Sequence, residues 1–284
     1  MSFLDHIRAC NDWDPAGFVP WVLAGERLGL LRHGFAEGLR RWPRQFRITP
    51  QAVHWTPPAA DFHGRTQALA EVVAVLVEEG DIDYLHGESY PVTPGSRGQA
   101  RLLIDRACAP YFGVRAFGQH LNGFVRGGDG LKLWIGRRAA DRRVYPRHLD
   151  NLVAGGLPWG LELAENLRKE CREEAGMDAE LAGRAVPVGA ITYCRASGPG
   201  LKPDVMYCYD LELPEGFEPR CTDGEVEAFY LWPVEQVMET VRDTREFKLN
   251  CNLVITDFLI RHGYLGPDTP DYLDLVQGLR HPLP

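Results

Sequence analysis

Three glutamates raise the first chemical question. Glu170, Glu173 and Glu174 stand in the run Lys169-Glu170-Cys171-Arg172-Glu173-Glu174-Ala175-Gly176-Met177, a spacing that a helix gathers along one edge. With about 100° of rotation per residue and Leu163 at zero, Leu167, Cys171, Ala164 and Ala175 fall between roughly 40° and 120° and form an apolar face. Arg168, Arg172 and Glu165 fall near 140–200°, on the solvent side, while Glu170 and Glu174 fall near 340° and 20° and Glu173 near 280°. Two carboxylates therefore border the buried face and the third stands beside them. Like charges at this spacing cost a few tenths of a kcal/mol in water and more when partly buried, so a cation is required. Lys169 is one such cation. A hard divalent ion, Mg2+ or Mn2+, is the natural second, because carboxylate oxygens from one helical turn coordinate it, and such an ion bridges phosphate oxygens and activates water.

A helix rich in Glu, Lys and Arg is usually a solvated face. Its surroundings distinguish this one. The stretch Gly155-Gly156-Leu157-Pro158-Trp159-Gly160 precedes it, and Gly176 stops it. Glycines let a backbone approach a phosphate closely, so Gly155 and Gly156 are candidate substrate-binding residues beside the candidate metal ligands Glu170, Glu173 and Glu174.

This stretch resembles the Nudix box, Gly-x5-Glu-x7-Arg-Glu-hydrophobic-x-Glu-Glu-x-Gly-hydrophobic. Glu170, Cys171, Glu173, Glu174, Gly176 and Met177 match its second half, and Gly155 falls in register as the opening glycine. Lys169 replaces the arginine, keeping the charge without the bidentate fork. The early glutamate position holds Leu161, with Glu162 one residue late. The wider run, from His120-Leu121-Asn122-Gly123-Phe124 through Leu133-Trp134-Ile135-Gly136-Arg137-Arg138 to Lys169-Glu170, is similar to the Nudix subgroup associated with thiamine pyrophosphokinases. That subgroup also has an extra N-terminal domain.

The resemblance implies an α/β fold, a Nudix-type α/β/α sandwich with a mixed sheet, preceded by a small α+β domain. It implies Mg2+- or Mn2+-dependent hydrolysis of a small-molecule diphosphate. Thiamine diphosphate or its oxidised analogues are the implied substrates, nucleoside diphosphate derivatives or oxidised dNTPs the first alternative, and a non-catalytic phosphorylated-ligand sensor the second. Glu170, Glu173 and Glu174 would bind the metal, and one carboxylate of the site would act as base. A further glutamate often comes from a later strand. Here Glu225 and Glu227 stand on one strand face, and Glu225 is preferred; the competing reading is an exposed strand edge.

Arg137, Arg138, Arg142, Arg143 and Arg147 cluster ahead of the glycine loop. Arg137 is a candidate substrate-binding residue, as is Lys169, although a solvated loop is the commoner reason for such arginines. Trp159 either stacks on a heteroaromatic ring or covers the helix core. His120 and His148 fit packed or surface roles better than catalysis. Cys171 faces the core and is discounted as a nucleophile.

The elements that must position these residues follow from periodicity. Helices are expected near the start and at about 64–79, 96–109, 162–175, 233–241 and 250–262. Strands are expected at 44–48, at 120–126 and 131–136 around the turn Gly127-Gly128-Asp129-Gly130, and near 185–194, 204–213 and 225–232. Three segments result: an N-terminal domain over 1–116, a hydrolase domain over 117–265, and a C-terminal extension over 266–284. The N-terminal domain either roofs the site or forms a homodimer contact.

Composition agrees with globular domains. Of 284 residues, 45% are hydrophobic and 25% charged, which excludes disordered and fibrous classes. A net charge of −8 without a basic run disfavours clamping duplex nucleic acid or an anionic membrane. No apolar run reaches the roughly 20 residues of a spanning helix. Seven scattered cysteines without a Cys-x-x-Cys pair indicate neither a disulfide framework nor a zinc site. The start, Met1-Ser2-Phe3-Leu4-Asp5-His6, lacks a secretory pattern, and the expected location is cytoplasmic.

Overall fold

The computed structural model describes residues 2–284. Two sheets with separate cores organise it. The first is built from β1 (Phe18–Leu23), β2 (Glu26–Arg32), β3 (Phe46–Ile48) and β4 (Val53–Trp55), in the order β2-β1-β4-β3. Trp21, Trp55 and Phe112 fill its core together with Leu69, Val72, Val73 and Leu76. Those four aliphatic residues recur at helical spacing on α3 (Phe62–Glu78), whose N-terminus Asp61 caps by accepting from the Gly64 N–H. The same core takes in Ala36 of α2 (His33–Gly38), the hairpin β5 (Ser89–Val92) with β6 (Leu102–Asp105), and α4 (Ala109–Phe112).

The helix expected over 96–109 is therefore not formed. Leu102 and Ile104 alternate inward while Leu103 and Asp105 are half-buried, the period of a strand, and β6 pairs antiparallel with β5. Pro110 stands in the first turn of α4, where its missing N–H is no loss.

The second sheet contains β7 (Ala116–Gly127), β8 (Gly130–Arg138), β9 (Leu149–Asn151), β10 (Val153–Gly156), β11 (Val186–Ala196), β12 (Leu201–Glu212) and β13 (Val226–Pro233). Its main path is β11-β12-β7-β8-β13, with β10 added to β7 and β9 to β8. Only the β12–β7 pair in that path is parallel, so the sheet is mixed. One edge of β7 is shared: residues 118–121 pair with β10, and residues 124–127 pair with β8. The sheet forks at Asn122-Gly123. A Cβ on Gly123 would lie 2.1 Å from Leu152 Cδ2, so glycine lets Leu152 fill the fork.

Helices cover both faces. Leu121, Val153 and Leu211 pack against α5 (Leu163–Ala175) and α6 (Ala179–Ala182). On the other face, Phe124, Leu133, Ile135, Met206 and Cys208 pack against α7 (Val234–Asp243) and α8 (Cys251–Arg261). This is an α/β/α sandwich.

Two terminal segments join that second core. In α1 (Phe3–Cys10), Phe3, Leu4, Ile7 and Cys10 are buried in it, and His6 Nε2 lies 2.7 Å from the Val241 carbonyl. The C-terminal extension forms α9 (Tyr272–Gly278), whose Leu275 is buried there together with Leu279. The reason is geometric: a Cβ at Gly278 would lie 2.6 Å from Ile7 Cγ2, so glycine allows the two chain ends to pack closely. No helix among the described residues is long and apolar enough to cross a membrane.

Candidate active site

α5 follows the expected spacing, and its C-terminus is closed at Gly176, with φ +65°, whose N–H donates to the Arg172 carbonyl. Leu167, Cys171 and Ala175 are buried as the wheel requires. Ala164, placed on the apolar face, is exposed, and the buried arc instead extends through Asn166 and Glu174. The glycine strand causes this shift. A Cβ on Gly155 would stand 2.4 Å from Glu170 Cδ, so only a residue without a side chain lets the helix edge close on β10. Asn166 Nδ2 then donates to the Gly156 carbonyl at 2.9 Å and to Gln119 Oε1 at 2.8 Å.

The three helix glutamates differ in environment. Glu174 is buried and accepts from the Ala154 N–H at 2.8 Å. Glu170 is largely buried, with Lys169 Nζ 3.3 Å from its Oε1. Glu173 is more open, 2.9 Å from Lys169 Nζ and 3.6 Å from Arg172. Glu225 pairs with Arg142 at 2.9 Å.

Burial raises the Glu170 carboxyl above the usual range; Lys169 opposes this, and Glu173 and Glu225 add to it. Burial raises Glu174 well above it, against the Ala154 N–H and reinforced by Asp150, Glu170 and Glu225. Lys169 is pulled down by burial but raised overall by Glu173 and Glu170. Four carboxylates thus share Lys169 and Arg142, with Arg172 and Arg106 at the margin. This oxygen-rich set against a side-chain-free strand fits a hard divalent cation.

The structure brings together Glu170, Glu173, Glu174, Glu225, Gly155, Gly156 and Lys169. Arg137 is not brought to them. It shares the sheet face of Leu133 and Ile135, opposite α5, where its Nε donates to Tyr230 Oη at 3.0 Å and Nη1 to the Arg147 carbonyl at 2.9 Å. Trp159 leans on the N-terminal part of the chain: its N–H donates to the Ser89 carbonyl at 2.7 Å, and its ring lies 5.9 Å from Phe62 and 5.6 Å from the Arg97 guanidinium. Glu162 is the exposed N-cap of α5 and makes no side-chain cap hydrogen bond. Glu227 is exposed.

Sequence reasoning missed two groups. Tyr90 and Arg106 lie against Gly156, where a Cβ would stand 2.1 Å from Tyr90 Oη and 3.0 Å from Arg106 Cζ. No local pattern connects them to a loop fifty residues later. The second group is a buried set, His120, Asp150 and Cys251, whose ligand-type atoms lie within 4.8 Å of one another. Asp150 Oδ2 accepts from Arg138 at 3.0 Å and Lys248 at 3.1 Å, and Oδ1 from Cys251 Sγ at 2.7 Å and the Asn151 N–H at 2.9 Å. Both oxygens are occupied by donors, two of them cationic, which leaves a metal ion neither free ligands nor a favourable field.

A NUDIX domain profile matches residues 120–251, and a profile described as Domain of unknown function (DUF4743) matches residues 2–116. Nudix hydrolase 20, chloroplastic, from Arabidopsis thaliana is 42% identical over 99% of this chain and 78% of its own. Nudix hydrolase 24, chloroplastic, from the same plant is 43% identical with the same coverage of both chains. The crystal structure of DR0079 from Deinococcus radiodurans is 19% identical, with a TM-score of 0.46 over 60% of this chain and 98% of that one. The chain belongs to the Nudix hydrolases and is an enzyme. The expected cytoplasmic location is overturned, since both plant relatives are chloroplastic.

Proposed function

We propose that this hydrolase cleaves the diphosphate bridge of a small-molecule diphosphate ester and releases the monophosphate, with Glu170, Glu173 and Glu174 holding Mg2+ or Mn2+. The observation that carries this reading is the cation-deficient set of carboxylates closed against β10, Glu170 at Gly155 and Glu174 on the Ala154 N–H. The bound ion supplies neutralisation of the phosphoryl oxygens and a water of lowered pKa. Lys169 spans Glu170 and Glu173 and holds their carboxylates in place. Gly155 lets Glu170 close on the strand, and Gly156 admits Tyr90 and Arg106 beside it. Water adds to one phosphorus, the bridging P–O bond breaks, and the water's proton passes to a carboxylate of the set, without a covalent enzyme intermediate. Glu225 is the fourth acidic group, near enough to raise Glu170 and Glu174.

Thiamine diphosphate and its oxidised analogues are the proposed substrates, on the resemblance carried by residues 120–170. The test is monophosphate release by the full chain with Mg2+ across those compounds, nucleoside diphosphate derivatives and oxidised dNTPs. The thiamine compounds should be cleaved fastest; faster cleavage of a nucleoside compound would replace the substrate class. Glu173→Gln should lower kcat/KM by about 10²- to 10⁴-fold in a folded protein. Turnover equal to the parent would overturn the assigned roles. A diphosphate that raises the melting temperature while none is cleaved would make the site a binder.

A further inference from the structure

We propose that Arg106, with Tyr90 beside it, is a substrate-binding residue delivered to the active site by the N-terminal part of the chain, its guanidinium taking diphosphate oxygens that the glutamate set does not. The proposal rests on the hydrolase reading above and adds a binding group to it.

Position is the first support. Gly155 and Gly156 are consecutive, with Cα atoms about 3.8 Å apart. A side chain on the first would strike Glu170, and one on the second would strike Tyr90 Oη at 2.1 Å and Arg106 Cζ and Nη1 at 3.0 and 3.1 Å. The candidate metal ligand and the guanidinium therefore approach the same two-residue stretch of backbone, and each approach requires its own glycine. Successive residues of a strand face opposite ways, so the two groups flank β10 from its two faces, within electrostatic reach of each other, and a diphosphate lying across the edge of β10 away from β7 meets both.

Availability is the second. Arg106 Nη1 donates to Glu88 Oε2 at 2.8 Å, while Nε and Nη2 have no protein acceptor among the described residues. The side chain is 37% exposed, so those donors are reachable. Guanidinium donors in a planar fork suit phosphoryl oxygens. Tyr90 lies under the guanidinium, 5.7 Å from its ring centroid, and its hydroxyl likewise has no protein acceptor among the described residues. Burial pushes that hydroxyl up to about 12, so it stays a neutral donor.

Rigidity is the third. The Trp159 N–H bond to Ser89 and a hydrogen bond from Arg97 to the Pro158 carbonyl tie the glycine loop to the segment that carries Tyr90. A second tie to the N-terminal part of the chain is the Arg143 guanidinium, 4.0 Å from the Tyr84 ring centroid. Arg106 is thus presented by a fixed frame.

The rival role is a structural ion pair with Glu88. Steady-state kinetics of the full chain with Mg2+ and a cleaved diphosphate separate the two. Arg106→Gln should raise KM roughly 10- to 100-fold, the range of charge-assisted hydrogen bonds, with a smaller change in kcat. Arg106→Lys should fall between it and the parent. Glu88→Gln, which breaks the same ion pair but keeps the guanidinium, should raise KM far less. Equal KM shifts for Arg106→Gln and Glu88→Gln, or none for the former, would overturn the proposal. If Arg106→Gln fails to fold, Arg106→Lys decides by the same comparison. Should the parent cleave no diphosphate, the hydrolase reading falls first, and the affinity for inorganic pyrophosphate, weakened or not in Arg106→Gln, decides this inference separately.

Discussion

Around Asp150, negative charge is met by positive charge from the chain itself, whereas around Glu170, Glu173 and Glu174 it is met only in part. Lys248 and Arg138 both reach Asp150 Oδ2, and although burial raises that carboxyl, the two cations hold it down at about 2. His120 beside it is driven to about 4 by burial, with Lys248 adding to the effect, and is neutral. Near neutral pH this buried set needs no ion. Further along the chain, Glu170 and Glu174 have their carboxyls raised instead of lowered. The contrast teaches that clustering of ligand-type atoms does not mark a metal centre. The sign of the uncompensated charge does, because a cation gains only where the protein has left a deficit.

The largest test of this contrast is Asp150→Asn. It leaves Lys248 and Arg138 buried without their carboxylate and should cost about 3–5 kcal/mol in urea unfolding. Asp150's folded pKa is depressed, so its contribution is present above the ordinary carboxylate range and lost as pH falls through about 2. The gap between parent and variant should close over that acid interval, and a constant gap would break the assignment. Next in size is the response to divalent ion. At about 100 times its Kd, Mg2+ or Mn2+ should stabilise the parent by about 2.7 kcal/mol, read as a rise in Tm. Asp150→Asn should retain a rise in Tm if it folds, because the ion belongs at the other cluster.

The smallest effect sharpens the comparison most. In chelator, Glu170 and Glu174 work in the opposite sense to Asp150. Their folded pKa values are raised, so their contribution to stability is full below the ordinary carboxylate range and is lost as pH rises through the folded values. Glu174→Gln, neutral at every pH, should match the parent in acid and exceed it by on the order of 1 kcal/mol near neutrality. Added divalent ion should reverse that order. A variant that is less stable than the parent in chelator at neutral pH would show that the glutamates are compensated after all.

Much of the site was readable because it is local. The α5 boundaries, the Gly176 stop and the edge-on spacing of Glu170 and Glu174 depend on 3.6-residue periodicity and on glycine's access to positive φ. The β7–β8 hairpin was announced by Gly127-Gly128-Asp129-Gly130. The misreadings have equally physical causes. Over 96–109, apolar residues fit a helix and a strand alike, and pairing with β5 decided between them. Arg137 was one residue from the parity that faces α5, and in a strand one residue reverses the face.

The amino-acid order alone determined that a glutamate-edged helix would follow a run of glycines, since both depend on neighbours a few positions apart, whereas pairing with β7 made that run a strand. Tertiary structure decided which charges are answered. Lys248 reaches Asp150 across 98 positions, and Tyr90 and Arg106 come to Gly156 from a different sheet system. Electrostatic compensation acts through space over a few ångströms and leaves no period along the chain, so it becomes visible only once the fold has closed.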